Sequence, residues 1–454
     1  MPNTTEFWRT IINDFNPVGP ALGEDVRRFF VDRSDDPTRS LVQRLKVSFQ
    51  NSIGQPKPYK ALLTGHVGSG KSTELRRLGE ELAEDFFVVW FDAGSSLDET
   101  SANQFDILLA MGLAVQQEAM RADLNPPARL AKDLTKSLTK FVRKYQERKG
   151  FSLNPADLMK QIASTTIVAG AAALGGPVAA GVAWVATSVA SRLELNVSDD
   201  LVRTLELPPN RMELIGALNA IIGFAQRQCT RPLLIITDGL DKFSAAKAKA
   251  LFADSALLTE PACALIYSAP IEFYHRIMAG RATNLFDEYK TLPNPPVSHC
   301  PHVGDSWHAD RQSNEDGLRV MRRVVARRVE ARGTILGQVI TDDALNLLAR
   351  MSGGVMREMV RFIRETATSA QQREATTIDL STAQDAVNQQ RQEIAPRLTI
   401  NHREAVKRVL QQGALSGGQH EAVEDDLLRT LHLLSYQDGV NFWFDAHPNV
   451  LPLL

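Results

Sequence analysis

Cysteine is scarce in this sequence, and neither sign of charge is in excess. The three cysteines, Cys229, Cys263 and Cys300, are widely spaced in 454 residues, which excludes a disulfide framework and is typical of a reducing compartment. With 51 Lys and Arg against 53 Asp and Glu, no global charge indicates a nucleic-acid binder. The start of the chain lacks a basic stretch followed by an apolar run. We therefore expect a cytoplasmic protein, with membrane association only on activation.

One motif stands out in the first part of the chain. Gly65-His66-Val67-Gly68-Ser69-Gly70-Lys71-Ser72 matches G-x-x-x-x-G-K-[ST] at every fixed position, after the apolar run Tyr59–Thr64. Glycines let successive N–H groups point at phosphate oxygens, and the helix that follows adds the positive end of its dipole. The motif predicts ATP binding, with Lys71 on the β- and γ-phosphates. The predicted nucleotide-binding residues are Gly65, His66, Val67, Gly68, Ser69, Gly70, Lys71, Ser72, Thr73 and Asp238.

A carboxylate at the end of a second apolar run completes a predicted magnesium site. Leu233–Thr237 has the composition of a buried strand, and Asp238 follows it directly. In proteins with this loop, such an aspartate holds Mg²⁺, usually through water, and the loop hydroxyl is a direct ligand. Ser72 and Asp238 are therefore the predicted metal ligands. The sequence leaves open whether the nucleotide is ATP or GTP.

Strands that alternate with helices on both sides of these motifs predict the fold. Such alternation is typical of an α/β protein, with a parallel sheet covered by helices on both faces. From about residue 317 the pattern is helical until a hairpin-like stretch near the end. We divide the chain into a lead-in over 1–58, a P-loop core over 59–124 and 206–300, a helical insertion over 125–205, a helical lid over 301–380 and a winged-helix-like domain over 381–454.

The second motif resembles that of a known group of ATPases. Asp238-Gly239-Leu240-Asp241 is similar to the motif of the STAND and NACHT signalling ATPases, which are related to the AAA+ proteins. The common AAA+ pattern has a glutamate directly after the aspartate, and this chain has Gly239 there. The resemblance therefore implies slow hydrolysis, with Asp241 as the nearest carboxylate that could orient water. Lys242 departs from the second acidic residue often found in NACHT proteins.

Three further residues are assigned by resemblance to AAA+ architecture. The run Ala264–Ser268 is similar to the sensor-1 strand, whose polar tip, here Ser268, lies near the γ-phosphate. Arg357, after Ser352-Gly353-Gly354, is similar to the sensor-2 arginine. Arg281 lies where an arginine finger acting on a neighbouring subunit is often found, and Arg276 competes for that role. Asp241, Ser268, Arg357 and Arg281 are thus the catalytic candidates.

The end of the chain resembles a winged-helix domain. Glu421–Leu434 is predicted as a helix, and Ser435–His447 as a hairpin that turns at Asp438-Gly439. DNA reading needs a basic helix. This helix carries four acidic residues against one arginine, Arg429, so we expect a regulatory or protein-contact module and do not expect DNA as a partner.

The middle of the chain lacks charge over a long run. Residues 161–191 contain no charged residue and break at Gly175-Gly176-Pro177. Two interpretations remain open, a buried alanine-rich hairpin and a segment that inserts into a membrane under some conditions. The basic amphipathic stretch before it suits either a membrane surface or a protein core.

Together these features predict an ATP-binding, slowly hydrolysing switch that forms homo-oligomers. The resemblance implies a role in bacterial signalling or anti-phage defence, with a protein sensor or effector as partner and the insertion as a conditional membrane contact. Two alternatives come from other classes. One is a DNA-engaging ATPase of the origin-recognition kind, and the other is a non-hydrolysing, nucleotide-bound scaffold that recruits a separate effector.

Overall fold

The computed structural model describes most of the chain on either side of its middle. Most of the predicted insertion, with the run 161–191, lies outside the described residues, as does Arg281, and these predictions stay untested. No helix among the described residues is long and apolar enough to cross a bilayer. The described residues are 4–17, 28–34, 40–97, 99, 102–127, 129–130, 133, 208–279, 285–303, 306–307, 311–439 and 441–454.

A five-stranded parallel sheet forms the centre of the fold. Its strands are β1 (Lys60–Gly65), β2 (Phe87–Asp92), β3 (Leu233–Asp238), β4 (Ala264–Pro270) and β5 (Glu288–Thr291). They lie in the order β2-β3-β4-β1-β5, and every neighbouring pair is parallel. The three inner strands are buried along their whole length because helices cover both faces, whereas the edge strands are only partly buried. The predicted α/β fold with a parallel sheet is confirmed.

Helices pack on both faces of the sheet. The N-terminal helix and the helices of the core are α1 (Thr4–Asp14), α2 (Leu41–Asn51), α3 (Lys71–Leu82), α4 (Ala93–Ser96), α5 (Gln104–Arg121), α6 (Pro208–Cys229), α7 (Ala245–Phe252) and α8 (Ile271–Ala279). Helices α2 and α3 bury Phe49 and Leu78 against one face, and α5, α6 and α7 cover the other. Helix α5 begins where Asn103 accepts the N–H groups of Phe105 and Asp106 and so caps it.

A helical lid follows the sheet, and the N-terminal helix belongs to it. After a short antiparallel pair, β6 (His302–Val303) and β7 (Ser306–Trp307), come α9 (Glu315–Glu330), α10 (Leu336–Val339), α11 (Asp342–Met351), α12 (Met356–Gln372) and α13 (Leu380–Ile394). Helix α1 buries Trp8, Ile11 and Phe15 in the lid core, and the Trp8 indole N–H donates to the Ala375 carbonyl at 2.8 Å. Helix α13 also packs on the lid helices, although the sequence grouped it with the C-terminal domain.

The C-terminal module, residues 399–454, consists of two helices and a hairpin. Its elements are α14 (Ile400–Gln412), α15 (Glu421–Arg429), β8 (Leu433–Asp438) and β9 (Asn441–Ala446). The predicted hairpin is confirmed, but the helix ends before the predicted Leu434. Leu431 has a left-handed φ of +63°, which reverses the chain and lets Leu433 begin the strand. The assignment to a winged-helix domain stays a prediction.

Candidate nucleotide-binding site

The phosphate loop connects the end of β1 to the start of α3. Backbone φ is +81° at Gly68 and +101° at Gly70, values that a residue with a side chain rarely adopts. A Cβ added at Gly68 would lie 2.7 Å from the Cβ of Arg357, and the Arg357 N–H donates to the Gly68 carbonyl at 3.1 Å. The loop glycines are therefore needed both for curvature and for the close approach of helix α12.

The buried Lys71 ammonium group has all three of its N–H donors engaged within the protein. It donates to the carbonyls of Gly65 at 2.7 Å and His66 at 2.8 Å, and Nζ lies 2.8 Å from Oδ2 of Asp241. A phosphate can bind Lys71 only by replacing one of these acceptors. Asp241 is the acceptor that a phosphate would most readily replace, because both carry a negative charge whereas the two carbonyls are neutral. Asp241 therefore competes for the predicted phosphate site in this state.

Replacing Asp241 by asparagine is expected to tighten Mg-ATP binding by about fivefold, a change of about 1 kcal/mol. The substitution removes the charged competitor for Lys71 and a negative charge that repels phosphate. Isothermal titration calorimetry measures the change. Asp254→Asn, which removes the same charge at an exposed position, is the control and should bind like the unmodified chain. Weaker binding by Asp241→Asn would show that Asp241 supports the nucleotide instead of competing with it.

Ser72 and Asp238 are in contact, as the predicted magnesium site requires. The Ser72 hydroxyl hydrogen-bonds to the Asp238 carboxylate, while Oδ1 of Asp238 is buried without a partner among the described residues. Burial, and then the nearby Asp241 carboxylate, raise the pKa of Asp238. A divalent cation would offset both effects, and a hydroxyl and a carboxylate beside phosphate and water oxygens are donors that Mg²⁺ prefers. These residues fit the ion.

The turn after Asp238 has no room for the glutamate of the common AAA+ pattern. Gly239 has a φ of +86°, and a Cβ added to it would lie 2.3 Å from the backbone nitrogen of Gly94. The fully buried Ser268 hydroxyl accepts the Leu240 N–H at 3.1 Å and so supports the same turn. Ser268 thus holds the turn that follows Asp238, and its predicted contact with the γ-phosphate stays untested.

A cavity of about 250 Å³ extends from the phosphate loop to the lid and the N-terminal segment. Residues 28–33, whose pattern fits a short strand or an extended lead-in, form no strand, and Phe29, Phe30 and Val31 line this cavity. The guanidinium carbon of Arg328 lies 5.2 Å from the centre of the Phe29 ring. Apolar and aromatic walls beside a phosphate site suit a nucleobase. The lid contributes Val324, Arg328, Met356 and Val360 to the lining.

Besides Arg328, two arginines line the cavity beside the phosphate loop, and the sequence predicted one of them. Arg357 lies at the start of α12 against the phosphate loop, where its guanidinium could reach a nucleotide. Arg33 was missed. Its guanidinium donates to the Ser69 carbonyl and pairs with Glu74 at 3.2 Å. The only local signal was a basic residue after an apolar run, which is too common to assign a role.

His66 connects the phosphate loop to the C-terminal module. The Ser435 N–H donates to Nε2 at 2.9 Å, and Nδ1 lies 3.3 Å from the Leu428 carbonyl. Burial, and then the nearby Lys71 ammonium, lower the pKa of His66 to about 3, so the ring is neutral at physiological pH. Because Nε2 accepts a hydrogen bond, Nδ1 carries the proton and donates to Leu428. Both ring nitrogens therefore bind the module.

The module makes two more contacts with the nucleotide site. The Arg429 guanidinium donates to the Lys242 carbonyl at 2.8 Å, just beyond the turn that carries Asp241. The Tyr436 hydroxyl donates to the Gly353 carbonyl at 2.8 Å, in the connection between α11 and α12. The module thus contacts the phosphate loop, the turn that follows Asp238 and the connection between α11 and α12.

The parallel sheet, the loop after β1 and the Ser72–Asp238 pair define a P-loop NTPase fold. No protein-family model matches the sequence, and no curated protein matches it. The chain is similar in structure to Cdc6p from Pyrobaculum aerophilum, at 10% identity and a TM-score of 0.41, over 97% of this chain and 94% of that one. It is also similar to Aeropyrum pernix ORC2 in ADPNP–ADP complexes, at 12% identity and a TM-score of 0.42, over 93% of each chain.

A third similar structure is Aeropyrum pernix ORC1 in complex with DNA, at 12% identity and a TM-score of 0.38, over 90% of each chain. At such low identities and TM-scores, the likeness assigns neither ligand nor partner to this chain. The prediction that DNA is not a partner has no support from these relatives.

Proposed function

We propose that this protein is an ATP-dependent molecular switch of the STAND or NACHT type that binds Mg-ATP and hydrolyses it slowly. The observation that carries the proposal is that one loop holds both Lys71, the predicted phosphate ligand, and His66, on which the C-terminal module docks. Nucleotide binding and module position therefore depend on the same eight residues.

The contacts of Lys71 suggest how the two events are coupled. Its ammonium group donates to the His66 carbonyl, and the His66 ring holds Ser435 and Leu428. When Lys71 turns from Asp241 toward a phosphate, its bond to the His66 carbonyl is also expected to weaken, so that the ring is held less firmly in the geometry that fits the module. Nucleotide binding is thus expected to weaken docking of the module.

A second contact of the module, between Arg429 and the Lys242 carbonyl, is also expected to weaken when a nucleotide binds. Asp241 pairs with Lys71, and the neighbouring Lys242 carbonyl accepts from Arg429 of the module. A phosphate that displaces Asp241 frees the turn on which Arg429 rests. Two separate contacts of the module therefore depend on the state of Lys71, which is what a switch requires.

Slow turnover follows from the turn after Asp238. Gly239 stands where the water-polarising glutamate is common, and the Gly94 backbone leaves no space for a larger residue. Asp241, the nearest carboxylate, is held by Lys71 until a phosphate replaces it. Loss of turnover in Asp241→Asn with binding retained would identify Asp241 as the base.

Calorimetric titration of the full chain with Mg-ATP, Mg-ADP and Mg-GTP tests the binding step. Asp238→Asn is expected to weaken Mg-ATP binding by at least about tenfold, because it removes the charge that holds the metal. The same change should have much less effect when EDTA replaces Mg²⁺. Equal affinities of the variant and the unmodified chain in Mg²⁺ would refute the site. Light scattering with and without Mg-ATP tests the proposed homo-oligomer.

A DNA-engaging ATPase is the second candidate function. Helix α9 carries five arginines, of which Arg319 and Arg327 are exposed, and a basic helix of this kind can bind phosphates. The acidic helix α15, in contrast, packs against α8 of the core. Salt-dependent binding of duplex DNA that needs Mg-ATP and is lost in Arg327→Glu would favour this function over the signalling switch.

A further inference from the structure

The guanidinium group of Arg33 joins three separate segments at the edge of the phosphate loop. It donates to the Ser69 carbonyl in the loop and to the Pro293 carbonyl after β5, the latter at 2.5 Å. It also pairs with Glu74 in the first turn of α3, where Nε lies 3.2 Å from the carboxylate. A residue from the N-terminal segment, which precedes the motif by more than 30 residues, thus holds the loop.

The Arg33–Glu74 pair also separates two cavities. One is the nucleotide cavity of about 250 Å³, and the other is a groove of about 730 Å³ that runs past Pro293 toward the lid. The Ser69 carbonyl therefore points at a guanidinium that lines both cavities.

The direction of that carbonyl determines where the next N–H points. No described peptide bond is cis, and in a trans peptide the carbonyl and the following N–H point in opposite directions. Because the Ser69 carbonyl points at Arg33, the Gly70 N–H points away from Arg33, and Gly70 itself lines the nucleotide cavity.

We infer that Arg33 is a positioning residue for nucleotide phosphates, which holds the Ser69–Gly70 peptide so that the Gly70 N–H faces them. The role rests on the proposed nucleotide function and deepens it. Arg33 acts through the loop backbone and needs no direct contact with the ligand. Preorganised N–H groups matter because reorienting them on binding would cost part of the binding free energy.

The test compares Arg33→Met, Arg33→Lys and Arg77→Met in calorimetric titrations with Mg-ATP and Mg-ADP. Arg33→Met keeps much of the stem and is expected to weaken both by about tenfold, the usual effect of losing a charged hydrogen bond. Arg33→Lys keeps one charged donor for the Ser69 carbonyl and is expected to recover to within about threefold of the unmodified chain. Arg77→Met is the matched control, because Arg77 packs on Phe30 of the same segment but does not hold the loop.

The outcomes separate the inference from the proposed function. If the unmodified chain binds neither nucleotide, the proposed function fails and the role of Arg33 fails with it. If the unmodified chain binds and Arg33→Met binds equally well, only the positioning role is refuted. A lysine cannot bridge Ser69, Pro293 and Glu74 together, so failure of Arg33→Lys to recover would assign Arg33 a merely structural role. Unfolding midpoints measured without nucleotide identify any variant that is not folded.

Discussion

His66→Ala is expected to release the C-terminal module from the phosphate loop. The substitution removes the acceptor of the Ser435 N–H and the donor to the Leu428 carbonyl, both in a buried contact. Two such hydrogen bonds are worth about 2–3 kcal/mol together, so the undocked population should rise by about 30- to 150-fold. Hydrogen–deuterium exchange of peptides that cover Leu433–Tyr436 measures this release.

The proposed coupling between nucleotide binding and module docking predicts a second effect of His66→Ala. If nucleotide binding weakens docking, then weakened docking must strengthen nucleotide binding, because the coupling free energy is reciprocal. His66→Ala should therefore bind Mg-ATP more tightly than the unmodified chain. Ser435→Ala is the matched control, since it removes only the hydroxyl contact and keeps the backbone N–H bond to the ring. Unchanged exchange in His66→Ala would mean that His66 does not hold the module.

Gly354→Ala is expected to lower the free energy of unfolding by about 3–4 kcal/mol. Gly354 has a left-handed φ of +73°, which costs about 1–2 kcal/mol for alanine. The added Cβ would also lie 2.0 Å from the Pro295 carbonyl oxygen, a backbone atom that cannot move alone, and overpacking adds about 1–3 kcal/mol. The affected peptide precedes α12, which carries Arg357. Urea unfolding followed by circular dichroism measures the change.

Two other glycines separate the contributions to this loss. Gly333 also has a left-handed φ, of +71°, but a Cβ there meets nothing within 4 Å, so Gly333→Ala should cost only about 1–2 kcal/mol. Gly337 has neither feature and lies in helix α10, so Gly337→Ala should be neutral or slightly stabilising. If all three variants lost the same stability, the close contact with Pro295 would have no energetic role.

The sequence was sufficient for elements whose signal is local. The phosphate loop is defined by eight consecutive residues. The strand predicted over Leu233–Thr237 is observed as Leu233–Asp238, because a short apolar run between two helices is typical of a buried strand. The hairpin turn at Gly439 was equally local. Boundaries that depend on one backbone angle, such as the reversal at Leu431, were not predictable from composition.

Contacts between distant parts of the chain could not be predicted. His66 and Ser435 are 369 residues apart, and nothing in the motif distinguishes this histidine from any residue at a variable position. Nothing in the sequence around Trp8 and Phe15 indicated that their partner was the lid. The same holds for Arg33, because the Ser69 and Pro293 carbonyls that it binds lie next to it only in the folded chain.

Mg-ATP at the phosphate loop is proposed to weaken docking of the C-terminal module. Hydrogen–deuterium exchange of Leu433–Tyr436, compared in the unmodified chain with and without saturating Mg-ATP, measures this weakening. We expect faster exchange in this strand with Mg-ATP, and no change in Lys71→Ala, which should not bind the nucleotide. Calorimetry that shows Mg-ATP bound, with exchange of the strand unchanged or slower, would contradict it.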